Sequence, residues 1–205
     1  MKSYPSIPAS TGTSFKELTD AWVFAKPDGS NLRFEWSKKR GWYKYGTRTR
    51  LFDASDPVFG KAIELWKEPG EVIVKVAKDE RWESMVCFAE FHGPNSFVGV
   101  HDPADQHVLS LFDVAANKKG FLGPKDFVCL FGKVPGVVPL LGRWHWTRGF
   151  VERVRAGEFL ELSFEGVVGK VGEGHNIRMA KAKSEAWIQK VKALYGDKAE
   201  AILNS

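Results

Sequence analysis

The sequence predicts an α+β fold built on antiparallel sheets, and three observations point to it. First, short apolar runs alternate on either side of tight turns. The clearest pair is Leu32 to Trp36 and Trp42 to Tyr45, around Lys38-Lys39-Arg40-Gly41. Second, helix-start signals stand among these runs, at Asp56-Pro57, Pro124, Thr147 and Ser184. Third, strand and helix signals do not alternate one for one, so the pattern is not that of a doubly wound parallel sheet.

The elements follow in order. Ala21 to Ala25 is apolar and short enough for a strand, and the hairpin comes next. Asp56-Pro57 opens a helix with Ala62, Ile63, Leu65 and Trp66 on its apolar side, and Pro69-Gly70 closes it. Val72, Ile73 and Val76 fit either a second helix or the start of a strand. Met85 to Phe91 and Val108 to Val114 are strands. Between them lie a shorter strand, Ser96 to Val100, and an Asp102-Pro103 turn. Pro124 begins a helix carrying Phe127, Val128, Leu130 and Phe131. Thr147 caps a helix that runs to Arg155 and stops at Gly157. Leu160 to Val168 alternates as a strand. Ser184 caps a C-terminal amphipathic helix with Trp187, Ile188, Val191 and Leu194 on its apolar side.

With 205 residues, 43% of them hydrophobic, the chain can bury a core as one domain or two small ones. Lys and Arg number 30 against 25 Asp and Glu, a net charge of +5. That mild excess fits an ordinary basic surface and also fits attraction to a polyanion. Cys87 and Cys129 each sit in an apolar run and read as small buried hydrophobes rather than a disulfide framework or a zinc site. A reducing, cytoplasmic setting is the expectation. No apolar stretch is long enough to span a bilayer, and the N-terminus lacks the apolar core of a secretory signal. No internal repeat, low-complexity tract or interdomain linker stands out.

Five runs carry chemistry-bearing residues. They are Ala25-Lys26-Pro27-Asp28-Gly29-Ser30-Asn31, Ala89-Glu90-Phe91-His92-Gly93, Leu111-Phe112-Asp113, Phe164-Glu165-Gly166-Val167-Val168-Gly169-Lys170 and Lys181-Ala182-Lys183. Each has a bland explanation alone. Asp28-Gly29 is turn chemistry, Glu90 a strand-end carboxylate, Phe112 a core ring, and Lys181 and Lys183 one face of a strand turned to water. The sharper explanation is shared. A lysine nucleophile must be neutral to attack, although its ordinary pKa is about 10.4. Desolvation or neighbouring positive charge lowers that value, and Lys181 and Lys183 are candidate neighbours. The same two lysines suit an α-phosphate. Glu90 suits ribose hydroxyls, Phe112 suits a stacked base, and Glu165 suits a divalent cation. His101, Asp102, Asp105 and His107 look superficially metal-like, but their spacing matches no defensible site. The eight tryptophans read as packing. There is no local Ser-His-Asp arrangement and no Walker-type glycine loop.

In this fixed order the five runs resemble the covalent nucleotidyltransferases: ATP-dependent RNA and DNA ligases and mRNA capping enzymes. The run from Lys26 through Asn31 looks like the RNA-ligase branch that includes phage double-stranded RNA nick-sealing enzymes and trypanosome RNA-editing ligases. So do Ala89 to Pro94 and Pro139-Leu140-Leu141-Gly142-Arg143. The resemblance covers about Trp22 to Trp187. It implies two antiparallel sheets flanked by helices, with a nucleotide between them. It also implies that Lys26 becomes covalently adenylated. Asp28, Gly29, Asn31, Arg48, Glu90, Phe112, Glu165, Lys170, Lys181 and Lys183 would bind the nucleotide, and Glu165 would hold Mg²⁺. Arg50 is a substitute for Arg48.

Two departures accompany the resemblance. Ala25 stands where phage relatives often carry an acidic residue, and the chain ends soon after the fifth run. The expectation is one minimal nucleotidyltransferase domain over residues 1–205, ending in a short helical segment with no OB fold, and monomeric. The expected activity is ATP-dependent joining of RNA 5′-phosphate and 3′-hydroxyl ends, with nicked duplex among the substrates. The alternatives are a minimal DNA ligase and a catalytically silent nucleic-acid-binding module. Lys190, Lys192 and Lys198, with Lys181 and Lys183, read as the solvated basic side of the C-terminal region.

Overall fold

Ten strands and six α-helices are present among the residues that the computed structural model describes, 4–10 and 16–203. They are β1 (Leu18–Lys26), β2 (Ser30–Ser37), β3 (Gly41–Thr47), β4 (Leu51–Phe52), α1 (Gly60–Leu65), α2 (Lys67–Asp79), β5 (Ser84–His92), β6 (Val108–Ala116), β7 (Gly120–Phe121), α3 (Pro124–Phe131), β8 (Leu140–Trp146), α4 (Arg148–Arg155), β9 (Gly166–Val171), β10 (Arg178–Lys183), α5 (Glu185–Tyr195) and α6 (Ala199–Leu203). The α+β class and the two antiparallel sheets flanked by helices are as expected. The chain divides into two units. One comprises Gly29–Val137 with Tyr4 and Glu173–His175, and the other comprises Pro5–Asp28, Val138–Gly172 and Asn176–Ser205.

In the first unit the predicted hairpin lies inside a six-stranded sheet of order β4-β3-β2-β5-β6-β7. Alternation along β2 splits its residues between two faces. Leu32, Phe34 and Trp36 form the helix-covered face, where Phe34 stacks on Trp66 at 4.0 Å. Asn31, Arg33 and Glu35 occupy the other face. Asp56 accepts from the Val58 and Phe59 amides through Oδ1, but these bonds close a turn, and α1 starts only at Gly60, four residues later than expected. Pro69-Gly70 does not end it. Pro69 falls in the first turn of α2, where the missing N–H costs nothing. A Cβ at Gly70 would press on the Trp42 and Trp66 indoles, so glycine admits their packing. The ambiguous Val72–Val76 run is helical, with Ile73 and Ala77 buried. Ser96 to Val100 is not a strand but a tight turn closed by reciprocal Phe97–Val100 backbone bonds of 3.0 Å. Cys87 is buried as expected, whereas Cys129 is exposed on α3 because Phe127 and Phe131 form that helix's buried stripe.

The second unit holds a four-stranded sheet of order β10-β9-β1-β8. One face is apolar. Leu18, Ala21 and Val23 of β1, Val167 of β9, and Ala180 and Ala182 of β10 pack with Trp146 against Phe150, Val151 and Val154 of α4. Full burial of each large side chain there contributes about 1.5–3 kcal/mol. Thr147 caps α4 by accepting from the Phe150 amide at 3.2 Å. β8 had only a sequence resemblance to mark it, because its burial does not alternate cleanly. The expected Leu160–Val168 strand is replaced by turns through residue 162, and β9 starts only at Gly166. Gly166 has φ +144° and its Hα faces the Ala182 carbonyl so closely that a Cβ would overlap that oxygen. Among the described residues no helix is long and apolar enough to cross a membrane.

Candidate functional site

The face of the second sheet opposite its apolar core carries lysines. Trp22, Phe24 and Lys26 alternate with the core residues of β1. Cross-strand pairing puts Lys26 opposite Gly166, and Gly166 opposite Lys183. Lys170 pairs with Trp22, and Lys181 with Val168. Lys26, Lys170, Lys181 and Lys183 therefore share one face, as period-two alternation requires. Lys170 and Lys181 are buried rather than turned to water, so the bland strand reading of Lys-Ala-Lys does not hold. The Lys170 ammonium lies 5.1 Å from the centre of the Phe24 ring.

Glu165 organises this face. Its Oε2 is 2.6 Å from the Lys26 ammonium and its Oε1 is 3.9 Å from that of Lys183. The side chain of Glu165 is 5% exposed, that of Lys183 9% and that of Lys26 24%, so Lys26 is the most accessible of the three. Burial lowers the Lys183 pKa, and Lys26 lowers it further, while Glu165 and Asp28 oppose the shift. The Lys183 ammonium also sits 4.3 Å from the Trp187 ring centre and donates to the Leu203 carbonyl. Three residues hold the Lys26 turn. The Ser163 hydroxyl accepts from the Lys26 amide at 3.0 Å and donates to the Lys26 carbonyl at 2.8 Å. Trp187 Nε1 donates to Asp28 at 2.7 Å, and the Ser184 cap of α5 donates to the Phe164 carbonyl, next to Glu165. Sequence reasoning assigned Trp187 and Ser184 only to helix formation and passed over Ser163. Nothing in the local pattern marks a serine that clamps a backbone 137 residues away.

The remaining candidates lie in the first unit. Asn31 pairs directly with Glu90 across β2 and β5, and Arg33 pairs with Phe88. Phe88 in turn pairs with Asp113 across β5 and β6, with a register shift just beyond it that inserts Phe112. Phe112 is half-buried in an aromatic group with Phe88 and Tyr4. The Tyr4 ring meets it edge-on at 5.0 Å. The Tyr4 hydroxyl donates to Asp113 at 2.6 Å, and burial followed by the Asp113 charge pushes its pKa well up. Tyr4 and Asp113 had no assigned role from sequence. A tyrosine 109 positions from its partner leaves no local signal. A Cβ on Gly29 would collide with the Phe91 carbonyl, so only glycine lets this turn lie against β5. Arg48 is exposed just past β3, whereas Arg50 is ion-paired with Asp56, which that contact holds at a pKa of about 2.

The His101, Asp102, Asp105 and His107 segment is a hydrogen-bonded loop. Asp102 closes a turn by accepting from the Ala104 amide, and Asp105 accepts from the Asn95 amide and side chain. Among the described residues no group of three His, Cys, Asp or Glu side chains is arranged to hold a metal ion. Glu165 offers one hard carboxylate oxygen pair. That suits a cation such as Mg²⁺, which is completed by substrate phosphates and water rather than by a protein cage.

The chain resembles several solved structures. A protein of Aquifex aeolicus, provisionally described as an ATP-dependent DNA ligase, matches with a TM-score of 0.68 at 21% identity, covering 99% of this chain and 57% of that one. An archaeal ATP-dependent RNA ligase matches at 0.66 and 18% identity, covering 94% and 51%. A substituted form of a Naegleria gruberi RNA ligase, determined with ATP and Mn, matches at 0.61 and 18% identity, covering 84% and 52%. The likeness is one of fold, and this chain spans about half the length of the structures it matches. No protein-family profile matches the chain, and no curated protein does.

Proposed function

We propose that this chain is an ATP-dependent RNA ligase acting through a lysyl-AMP intermediate on Lys26. The observation that carries the reading is the Lys26–Glu165–Lys183 arrangement on one face of the β10-β9-β1-β8 sheet. An accessible amine stands beside a buried carboxylate and a largely buried second cation, which is what attack on a phosphate requires. Support comes from the solved structures of similar fold, which are described as ligases, one of them determined with ATP and Mn.

In the first step the neutral Lys26 amine attacks the α-phosphorus of ATP. The N–P bond forms, the bond to the bridging oxygen breaks, and pyrophosphate leaves in line. A 5′-phosphate oxygen then displaces lysine from the adenylate, giving a 5′–5′ pyrophosphate-linked end. Finally a 3′-hydroxyl attacks that end's phosphorus and AMP departs. Lys183, Lys181 and Lys170 offset the phosphate charge, and Asn31, Glu90 and Phe112 take the phosphate or sugar, the ribose and the adenine respectively. Glu165 would hold Mg²⁺, which would neutralise phosphate charge. Positioning and electrostatics carry most of the rate in such chemistry.

The test is incubation with α-labelled ATP and Mg²⁺ followed by denaturing electrophoresis, with α-labelled GTP in parallel. A label from ATP that acid releases is expected, with little from GTP. No label from ATP removes the proposal and leaves a binding module; comparable label from GTP moves the chain toward a capping-type transferase. A DNA ligase is the second reading, favoured by the Aquifex aeolicus match. Nicked duplexes with RNA or DNA on the 3′-hydroxyl strand separate the two, since the 2′-hydroxyl is the distinguishing group. Faster sealing of the RNA nick is expected, with sealing falling more steeply with salt than self-adenylation does.

A further inference from the structure

One hydrogen-bonded chain in the first unit ends on Ser30, four residues after Lys26. The Gly93 amide donates to Ser96 Oγ at 2.9 Å. Ser96 Oγ lies 3.0 Å from His101 Nδ1, and His101 Nε2 lies 2.8 Å from Ser30 Oγ. A neutral imidazole has one donor and one acceptor, so two polarities are open. If Nδ1 carried the proton, Ser96 would accept both from Gly93 and from His101, and its own hydroxyl proton would be left over inside the chain. If Nε2 carries it, every internal proton is used: Gly93 to Ser96, Ser96 to Nδ1, Nε2 to Ser30. The one proton left is that of the Ser30 hydroxyl, at the end of the chain and on a half-buried residue of the phosphate-handling run.

We propose that His101 is a positioning residue that turns the Ser30 hydroxyl into a fixed hydrogen-bond donor for a phosphate oxygen. The proposal rests on the ligase reading for the source of that phosphate, either ATP or the nucleic-acid end, but the polarity of the chain is independent of it. The surrounding loop is shaped to keep the contact. The Phe97–Val100 turn uses φ values of +53° at Val98 and +77° at Gly99, and a Cβ on Gly99 would stand 3.4 Å from Ser30 Oγ. His101 meets the Phe59 ring at 5.8 Å and the Phe91 ring at 4.9 Å. The titratable groups that act on it are His107, Asp105 and His92. Burial first, then His107, holds the His101 pKa near 4, so the imidazole is neutral at ordinary pH. Unfolding restores the usual value of 6.5, so the unfolded chain binds more protons between those values. Burying His101 in its neutral form therefore carries no protonation cost above pH 6.5, and stability is lost as pH falls toward 4.

Two measurements test it. Nitrogen-15 NMR of the labelled imidazoles reads the tautomer directly, whatever the protein catalyses. A protonated Nε2 and bare Nδ1 on His101 are expected, and the reverse overturns the proposal. Kinetics then read the donor. Ser30→Ala and His101→Asn should each slow one step by roughly tenfold or more, the worth of a hydrogen bond to a charged group. The double variant should lose little beyond either single one. His101→Gln, which presents an amide N–H where Nε2 stood, should restore most of the loss. Slowed adenylation with α-labelled ATP names ATP as the source of the phosphate; a defect confined to sealing of a chemically pre-adenylated nick names the nucleic acid. Ser30→Ala removes a single oxygen and leaves the loop's other bonds in place, so wild-type rates for it in both assays sink the proposal. Additive losses in the double variant do the same.

Discussion

Lys26→Ala protein incubated with α-labelled ATP and Mg²⁺ is expected to carry no covalent label, while wild-type protein carries a label that acid releases. The expectation rests on the chemistry of the site. Of the lysines that share the face, Lys26 alone is appreciably exposed, and it ends a strand whose backbone Ser163 clamps on both sides. Lys170 and Lys181 are buried, and Lys183 is held by Glu165, Trp187 and Leu203. None of these can take over attack without dismantling its own contacts. The variant should fold, because the core of this sheet lies on the opposite face. Its urea midpoint checks that. A retained label of wild-type intensity would falsify the assignment of Lys26 as nucleophile. In sealing of a pre-adenylated nick, which needs no lysine nucleophile, the variant should keep measurable activity.

Much of this site was legible because its residues sit in short runs whose local conformation carries them. Lys26 and Lys183 are strand ends, and period-two alternation alone places them on a common face once the strands are known. Thr147 and Ser184 were readable as caps because capping needs only a side-chain oxygen three residues before an amide. The failures have physical causes too. Pro69-Gly70 signals a helix end, yet a proline in the first turn of a new helix looks the same in sequence. Leu160 to Val168 alternates, but the turns after Gly157 leave Leu160, Leu162 and Phe164 exposed and bury Ser163, and strand pairing starts only at Gly166. Ser163, Tyr4 and Asp113 act through partners more than 100 positions away, or across a strand shift, and periodicity does not carry such contacts.

Glu165→Gln is expected to slow adenylation by about two to three orders of magnitude, the usual loss on removing one preorganised electrostatic group. The substitution keeps the shape and a hydrogen-bonding oxygen and removes only the charge. The two ammonium groups then lose the carboxylate they share, while Asp28 still acts on Lys183. The Lys183 pKa, already lowered by burial, falls further, so the lysine is less often the cation a phosphate needs. The ligand for a divalent cation is weakened at the same time. Stability should drop by roughly 1–3 kcal/mol, the cost of leaving a buried charged group unsatisfied. Single-turnover labelling across a Mg²⁺ series separates the two contributions. A rate that high Mg²⁺ restores assigns the loss to the cation, and a rate it does not restore assigns it to the lysines. Labelling at the wild-type rate without added Mg²⁺ would show that Glu165 lies outside the reacting centre.

The 2.6 Å contact between Lys26 and Glu165 also bears on the energetics of the charged enzyme. A carboxylate that close to an amine favours its charged form. If Lys26 is the nucleophile, an ammonium that becomes a phosphoramidate N–H gives up two protons, of which the departing pyrophosphate can carry one. At least one is delivered to solvent for each enzyme charged. The equilibrium between ATP and the stored adenylate then moves toward the adenylate by about tenfold for each unit of rising pH, as long as Lys26 starts protonated. Below neutrality, modest pyrophosphate should strip the enzyme back to its free form; in mildly alkaline solution the same concentration should leave it loaded. A weakly buffered reaction followed with an indicator dye would register the release directly, and the adenylated fraction at fixed ATP and pyrophosphate, read at successive pH values, would give its slope. A flat profile would mean that the amine is already neutral before ATP arrives.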